Sequence, residues 1–336
     1  MPLLRALVRT ARMIRHTGPL ADGLTPDDEI LLDAPDDRLA PALVAAGAGD
    51  PGPAAKVLAH TREAAEWENR DRYVQRLAAF AAARPEWFTA WQRTTPHDPD
   101  LLLVKAELAV TRAFASPARA ELLRDVTPLV LAAADADPGD PVPWRIALDH
   151  ARGTNAPHTA FEDVWAQAVR RSPHHYGCHV SALQYLSAAW YGSHAECFDF
   201  AERAAQDALP GSLLQALPVR AALAYLTGGA PRGVPRARLD AAADLAVELS
   251  ATYAGSDPWP AEVRNLLICV LVELERWPDA LAQLRLVGPY ATSFPWDRLV
   301  DDPLARFLEL RGQVRLEVAA ALPLLGGPGG SGAHYA

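Results

Sequence analysis

The chain has 336 residues, of which 50% are hydrophobic and 22% are charged, a composition typical of a globular protein in water. Its formal net charge of −9 argues against nonspecific nucleic-acid binding by the whole surface, so no nucleic-acid partner is predicted. No apolar run is long enough to cross a membrane, and three cysteines without close pairing favour reduced thiols in a cytoplasmic protein.

Residues 1–16, MPLLRALVRTARMIRH, have helical periodicity with a basic face on which Arg5, Arg9 and Arg12 recur. A basic amphipathic helix of this kind can lie on an anionic membrane or dock to a partner. The alternative is a terminal helix that packs on the next one, because one short helix rarely anchors a protein alone. Residues 1–53 are therefore predicted to form a lead-in, made of this helix and an acidic, proline-rich segment.

From residue 54 onward, helical segments follow one another with short links. Several begin with a capping residue and a proline, as at Asp98-Pro99, Asp140-Pro141 and Ser172-Pro173. Pro128 lies inside one segment and should kink or split that helix, because proline lacks a backbone donor. No segment has the alternation of a strand, and none is predicted. Helices are expected at Leu39–Ala46, Ala54–Ala65, Asn69–Arg84, Leu101–Phe114, His174–Trp190, Ser212–Leu226, Arg236–Ala251, Pro260–Leu274, Pro278–Val287 and Asp302–Leu322.

The prolines that open two successive hairpins, Pro141 and Pro173, lie about 32 residues apart, close to the period of about 34 in tetratricopeptide (TPR) repeats. Trp144, Phe161 and Trp165 lie between them at positions where large side chains fill the groove between paired helices. Other prolines are unevenly spaced, so a regular array is not expected. The sequence predicts an all-α fold over residues 54–322.

The more specific prediction for the range 54–322 is a degenerate TPR-like α-solenoid, in which stacked helical hairpins form a right-handed superhelix. The tail, residues 323–336, is dominated by glycine and is predicted to be flexible. An alternative for the tail is that a partner enzyme recognises or modifies it.

The chain resembles a family of TPR-like α-helical proteins encoded by high-GC bacteria. The segments Arg84–Leu108, Asp137–Trp144 and Leu183–Ala201 carry this resemblance. Members of the family commonly have a basic residue at the position of Ala189 and a second acidic residue at the position of Ala195, so the chain departs from the pattern there. The resemblance implies a helical-repeat fold and no particular activity.

Histidine and cysteine gather between residues 174 and 197, which raises the question of a metal site. His175 and His179 are four residues apart, so they would share one face of the helix predicted there. His194 lies at the turn of the hairpin, about 16 Å from His179 at 1.5 Å per residue, too far to share one ion. His179 also belongs to an apolar stripe that favours a buried position. No metal site is favoured and no cofactor is predicted; His175 and His179 are the one pair that we would test.

Tryptophan and arginine supply the candidate binding residues. In an alanine-rich repeat, tryptophans mostly fill the space that alanines leave, but some can line a concave groove. Arginines near Trp67 can bind carboxylates through their planar forks, or can simply face water. The predicted groove residues are Arg70, Arg72, Arg76, Trp91, Trp144, Tyr185 and Trp190.

The sequence contains no Gly-x-Ser-x-Gly, phosphate-loop, dinucleotide-binding or His-Glu-x-x-His motif. The function predicted is therefore a non-catalytic module or scaffold that holds a peptide or protein segment in a concave groove. Two alternatives remain open. One is a protein of a biosynthetic pathway with a small-molecule or metal pocket, and the other is a carrier whose C-terminal tail is modified by a partner enzyme.

Overall fold

A computed structural model describes residues 20–228 and 233–322. The basic helix predicted at residues 1–16 and the tail at 323–336 lie outside the described residues. The all-α class is confirmed. The chain forms two compact units, one from residues 35–242 and one that combines the chain up to Ala34 with the chain from Ala243 onward. This division lies within the range that was predicted as a single repeat domain.

Among the described residues of the larger unit, twelve α-helices begin, and the last of them extends into the other unit. They are α1 (Ala40–Gly47), α2 (Gly52–Glu63), α3 (Trp67–Ala83), α4 (Glu86–Thr94), α5 (Pro99–Phe114), α6 (Arg119–Ala136), α7 (Val142–Gly153), α8 (His158–Arg171), α9 (Tyr176–Tyr185), α10 (His194–Gln206), α11 (Leu217–Thr227) and α12 (Arg236–Ala251). Asp98 and Ser193 cap α5 and α10, because their side chains accept the backbone N–H of Asp100 and of Glu196.

The smaller unit contains α13 (Ala261–Glu273), α14 (Trp277–Val287), a short turn of helix, α15 (Ser293–Trp296), and α16 (Pro303–Ala321). Two strands of two residues, β1 (Leu31–Leu32) and β2 (Tyr290–Ala291), pair in parallel. The prediction that the chain has no strand is therefore wrong. A two-residue strand is too short to show alternation, which explains why the sequence pattern did not reveal it.

In the smaller unit, the buried guanidinium of Arg264 bonds to the backbone near the ends of two helices. It donates to the backbone oxygens of Ser250, Tyr253 and Leu286, at distances of 2.9 to 3.1 Å. These carbonyl groups lie at or near the C-terminal ends of α12 and α14, where helical carbonyls have no partner within their own helix. A cation at this position also opposes the negative end of each helix dipole.

In the larger unit, helices pack as consecutive pairs: α5 on α6, α7 on α8, and α10 on α11. Helices α3, α5, α7 and α9 also form a row, in which α3 contacts α5, α5 contacts α7, and α7 contacts α9. However, α3 also contacts α7 and α9 directly. In an open repeat array each repeat contacts only its neighbours. Here the first helix of the row, α3, also contacts the last, α9, so the row differs from an open array.

The structure bears on two other predictions about helices. First, Pro128 was expected to kink or split its helix, and it does not split α6, which runs from Arg119 to Ala136. Pro128 is exposed, so the carbonyl that loses its backbone donor can bond to water instead. Second, the helix expected at His174–Trp190 covers only Tyr176–Tyr185, because the chain tightens after it: Ser187 donates to the carbonyl of Gln184 at 3.2 Å.

Candidate functional site

The N-terminal ends of α3, α5, α7 and α9 enclose a buried set of charged side chains. We call this set the charge network: Glu68, Arg70, Asp71, Asp100, Glu107, Asp140, Arg145 and His175. Arg70 is 1% exposed and donates to Asp140 at 2.5 Å, to Asp100 at 2.7 Å and to the Leu58 carbonyl at 2.9 Å. Arg70 therefore joins α3 to α2, to α5 and to the residues that precede α7.

Arg145 on α7 is the second cation of the charge network. Its guanidinium lies 2.8 Å from Asp71 of α3 and 2.6 Å from Glu107 of α5. Burial raises the pKa of Glu107, and the charge of Arg145 opposes that shift. The same balance holds for Asp140, whose pKa burial raises and Arg70 lowers. Each carboxylate is therefore stabilised by an arginine that water could not replace.

Cys178 lies next to the charge network. The side chains of Cys178, His175 and Asp71 follow one another in the order nucleophile, base and acid, as in a catalytic triad. Cys178 Sγ lies 3.2 Å from His175 Nδ1, and His175 Nε2 lies 4.0 Å from Asp71 Oδ2. Cys178 is fully buried, and burial raises the pKa of its thiol, which disfavours the thiolate that nucleophilic attack requires. His175 Nδ1 also accepts the Cys178 backbone N–H, so it caps α9. The arrangement stabilises a helix start.

Both candidate metal ligands are buried, and both make contacts within the protein. His175 precedes α9 as its cap, so the pair does not share a helix face as expected. The ring of His179 packs against Trp165 and Phe200, and its Nδ1 donates to the His175 carbonyl at 2.9 Å. Over residues 20–228 and 233–322, no group of three or more His, Cys, Asp or Glu side chains is arranged to hold a metal ion.

The burial of His179 predicts a dependence of stability on pH. Burial lowers the pKa of His179 to about 4, against 6.5 for an ordinary histidine. Between these values the unfolded chain binds the proton and the folded chain does not, so stability falls as the pH falls. Relative to His179→Phe, the wild type should lose about 2 kcal/mol of unfolding free energy between about pH 6.5 and pH 4.5.

Urea unfolding of both proteins across this pH range measures that difference, and the comparison cancels the carboxylates that titrate in both. The NMR titration of the His179 ring gives an independent value. A difference in unfolding free energy that stays constant with pH, or a ring that titrates near its ordinary value, would contradict this prediction.

The predicted groove residues do not lie along one surface. Arg70 belongs to the charge network, Trp91 is 2% exposed and donates to Asp98, and Tyr185 is 1% exposed. These three are core residues, because aromatic rings and ion pairs fill the space where an open groove was expected. Arg72 pairs with Asp36 at 2.6 Å, and Arg76 is half-buried.

Trp144 and Trp190 are each half-buried beside arginine, but in different places. The guanidinium of Arg171 lies 4.5 Å from the centre of the Trp144 ring. Trp190 lies at the other end of the helix row from the charge network, where α5, α7 and α9 finish. It contacts two further arginines there.

We call this second arrangement the Trp190 cluster: Phe114, Arg119, Arg152, Trp190 and Tyr191. The guanidinium carbons of Arg119 and Arg152 lie 4.7 and 4.6 Å from the centre of the Trp190 ring. Arg152 also lies 4.6 Å from the ring centre of Phe114, which meets Trp190 edge to face. Two cations therefore share one pair of aromatic rings, a geometry that cation–π attraction favours.

Tyr191 extends the cluster to the protein surface. Its ring is stacked on Tyr185 with centres 4.7 Å apart, and Tyr185 is stacked on Phe161. The Tyr191 hydroxyl donates to Asn155 Oδ1 at 2.6 Å, yet the residue remains 43% exposed. The result is a supported aromatic surface beside two positive charges, which suits the binding of a partner group.

The sequence pointed to Trp190 alone among these five residues. Phe114, Arg119, Arg152 and Tyr191 lie in separate segments and have no spacing that marks them as a group. The capping pattern at Ser193 indicated a turn here, but only the packing of α5, α7 and α9 brings the residues together.

Comparison of the chain with protein-family models, with curated proteins and with solved structures found no match. The resemblance to TPR-like proteins of high-GC bacteria therefore stays a prediction. What the structure defines is a class, an all-α protein. Within the described part of the chain, no helix is both long enough and apolar enough to cross a bilayer.

Proposed function

We propose that the protein is a non-catalytic binding module of the helical-repeat kind, which holds a peptide or protein segment. Paired helices and the row α3, α5, α7 and α9 support a degenerate TPR-like stack of hairpins. The contact of α3 with α9 departs from an open array, and we attribute it to the charge network, which draws the N-terminal ends of these helices together.

The binding surface that we propose is the exposed side of the Trp190 cluster and not a concave groove. The single observation that carries this proposal is the exposed ring of Tyr191 beside Trp190, supported from below by Tyr185. Tyrosine, tryptophan and arginine are the residues that contribute most to the binding energy of protein interfaces. All three are present here, on adjacent side chains.

The backbone fixes this surface before any partner binds. Trp190 donates to the Ser187 carbonyl at 2.9 Å, and Tyr191 donates to the Tyr185 carbonyl at 3.1 Å. The sulfur of Cys197 reaches the Leu186 carbonyl at 3.2 Å. A loop that is already ordered loses little conformational entropy on binding, so more of the contact energy contributes to affinity.

Selection from a displayed peptide library, with the immobilised protein as target, tests this proposal. Selected peptides should bind the wild type, and Trp190→Ala should weaken them at least about tenfold. Trp277→Ala is the matched control, since Trp277 is also half-buried but belongs to the other unit. Circular dichroism confirms that each variant is folded.

Two results would count against the proposal. One is a library that yields no peptide with saturable binding. The other is a set of peptides that bind Trp190→Ala and Trp277→Ala equally well, which would place the binding surface elsewhere.

A further inference from the structure

The two arginines of the Trp190 cluster have donors without an acceptor among residues 20–228 and 233–322. The Nε atoms of Arg119 and Arg152 are buried, and neither has a hydrogen-bond partner there. Arg152 does donate through Nη2 to Asp149 at 3.0 Å. In the described part of the chain, Arg119 has no ion pair, and its neighbours are the rings of Phe114 and Trp190. Arg145 Nη2 and Arg311 Nε also lack an acceptor, but both of those arginines form ion pairs. Arg119 is different because its charge has no carboxylate partner among the described residues, which leaves it able to take an anion.

The local charge around these arginines is positive. Both guanidinium groups lie against one indole ring, so they are less than about 10 Å apart, within roughly one Debye length at 0.1 M salt. Two carboxylates are nearby: Asp149, which already pairs with both Arg145 and Arg152, and Glu121 in the first turn of α6, which is exposed and, among the described residues, forms no ion pair with Arg119 or Arg152. Arg119 is also the first residue of α6, where the helix dipole adds positive potential.

His150, a further titratable group near this end of α6, does not neutralise that charge. His150 Nε2 lies 2.8 Å from the Leu123 carbonyl and 3.0 Å from the Thr127 hydroxyl. Burial lowers the pKa of His150, so the ring is neutral at physiological pH and contributes no charge of either sign. The rings of Phe114 and Trp190 exclude water from one side, which strengthens attraction to an anion.

From these observations we infer that Arg119 and Arg152 form an oxyanion site, which takes a carboxylate or a phosphate group carried by the bound protein segment. The planar guanidinium of Arg119 would donate to two oxygens of the group, as arginine does to carboxylates and phosphates. The part of this inference that assigns the anion to a bound protein segment rests on the proposed function. The affinity of the two arginines for an anion does not depend on the proposed function.

The site is tested with simple anions on the full chain. The Nε–H signals of Arg119 and Arg152 and the indole N–H signal of Trp190 are followed by NMR, and each is assigned by substitution. Sodium phosphate or sodium acetate replaces sodium chloride at constant ionic strength. At least one of the two anions should shift these signals saturably, and Arg119→Gln should weaken that binding at least about tenfold.

Arg124→Gln is the matched control, because Arg124 is an exposed arginine on the same helix and its loss changes the net charge equally. It should leave anion binding within about twofold of the wild type. Saturation by phosphate alone would indicate a phosphorylated segment, and saturation by acetate alone an acidic one. If neither anion gives a saturable shift, or if Arg119→Gln binds as the wild type does, the inference is wrong.

Failure of the oxyanion-site inference can be told apart from failure of the proposed function. Peptides that require Trp190 but bind Arg119→Gln normally would leave the binding surface intact and remove only the oxyanion site. Saturable anion binding without any selected peptide would keep the oxyanion site and remove the peptide-binding proposal.

Discussion

Replacing Arg145 with methionine should lower the free energy of unfolding of the larger unit by about 3–5 kcal/mol. The guanidinium of Arg145 lies within 2.8 Å of Asp71 and of Glu107, and both carboxylates are buried. Methionine fills much of the same volume but leaves these charges without a partner in a region that water does not reach. Chemical denaturation followed by circular dichroism measures the loss.

Arg124→Met provides the control, because the same substitution at an exposed position should change stability by no more than about 0.5 kcal/mol. Adding Asp71→Asn and Glu107→Gln to Arg145→Met should recover part of the loss, since the stranded charges are then removed. A loss from Arg145→Met as small as that from Arg124→Met would show that the charge network does not hold these helices together.

The helices of this protein follow closely from local sequence. A capping residue followed by a proline marks the starts of α5 and α7, and the predicted starts lie within a few residues of the observed ones. Capping and the fixed backbone angle of proline act over a single turn, so a linear pattern contains the information. The prediction failed at the end of α9, which finishes at Tyr185 and not at Trp190.

The charge network lay beyond sequence reasoning for a different reason. Arg70 looked like a surface residue, because a buried arginine is rare unless it is paired. Its partners Asp100 and Asp140 are 30 and 70 residues away in the chain. Nothing in the spacing of these residues indicates that α3, α5 and α7 bring them together, and only the tertiary packing does so.

The two special regions of the larger unit occupy opposite ends of the same helix row. At the N-terminal ends, each arginine of the charge network has carboxylate partners, and the side chains are closed off from water. At the C-terminal ends, Arg119 faces aromatic rings and has no carboxylate partner among the described residues. An arginine with carboxylate partners contributes to the fold, whereas Arg119 has no carboxylate partner there and is available for an anionic ligand. This contrast supports the proposal that the binding surface lies at Trp190.

Substituting Gly192 with alanine should destabilise the larger unit by about 3 kcal/mol and weaken binding at the Trp190 cluster. A Cβ atom at Gly192 would lie 2.3 Å from the carbonyl oxygen of Leu186 and 2.8 Å from its carbonyl carbon. These are backbone atoms, so the loop itself must move, and it carries Trp190 and Tyr191. The cost therefore falls in the upper part of the range for overpacked sites.

Gly139→Ala is the matched control in the same unit, because the nearest atom to its Cβ, Asp137 Oδ1, is at an ordinary 3.5 Å. Urea unfolding gives the stability of both variants, and the peptides selected on the wild type give their affinity. If Gly192→Ala loses affinity at a temperature where it is still folded, the loop geometry determines binding. Unchanged stability and affinity would mean that the loop tolerates the displacement, and that the rigid support proposed for Trp190 and Tyr191 is not required.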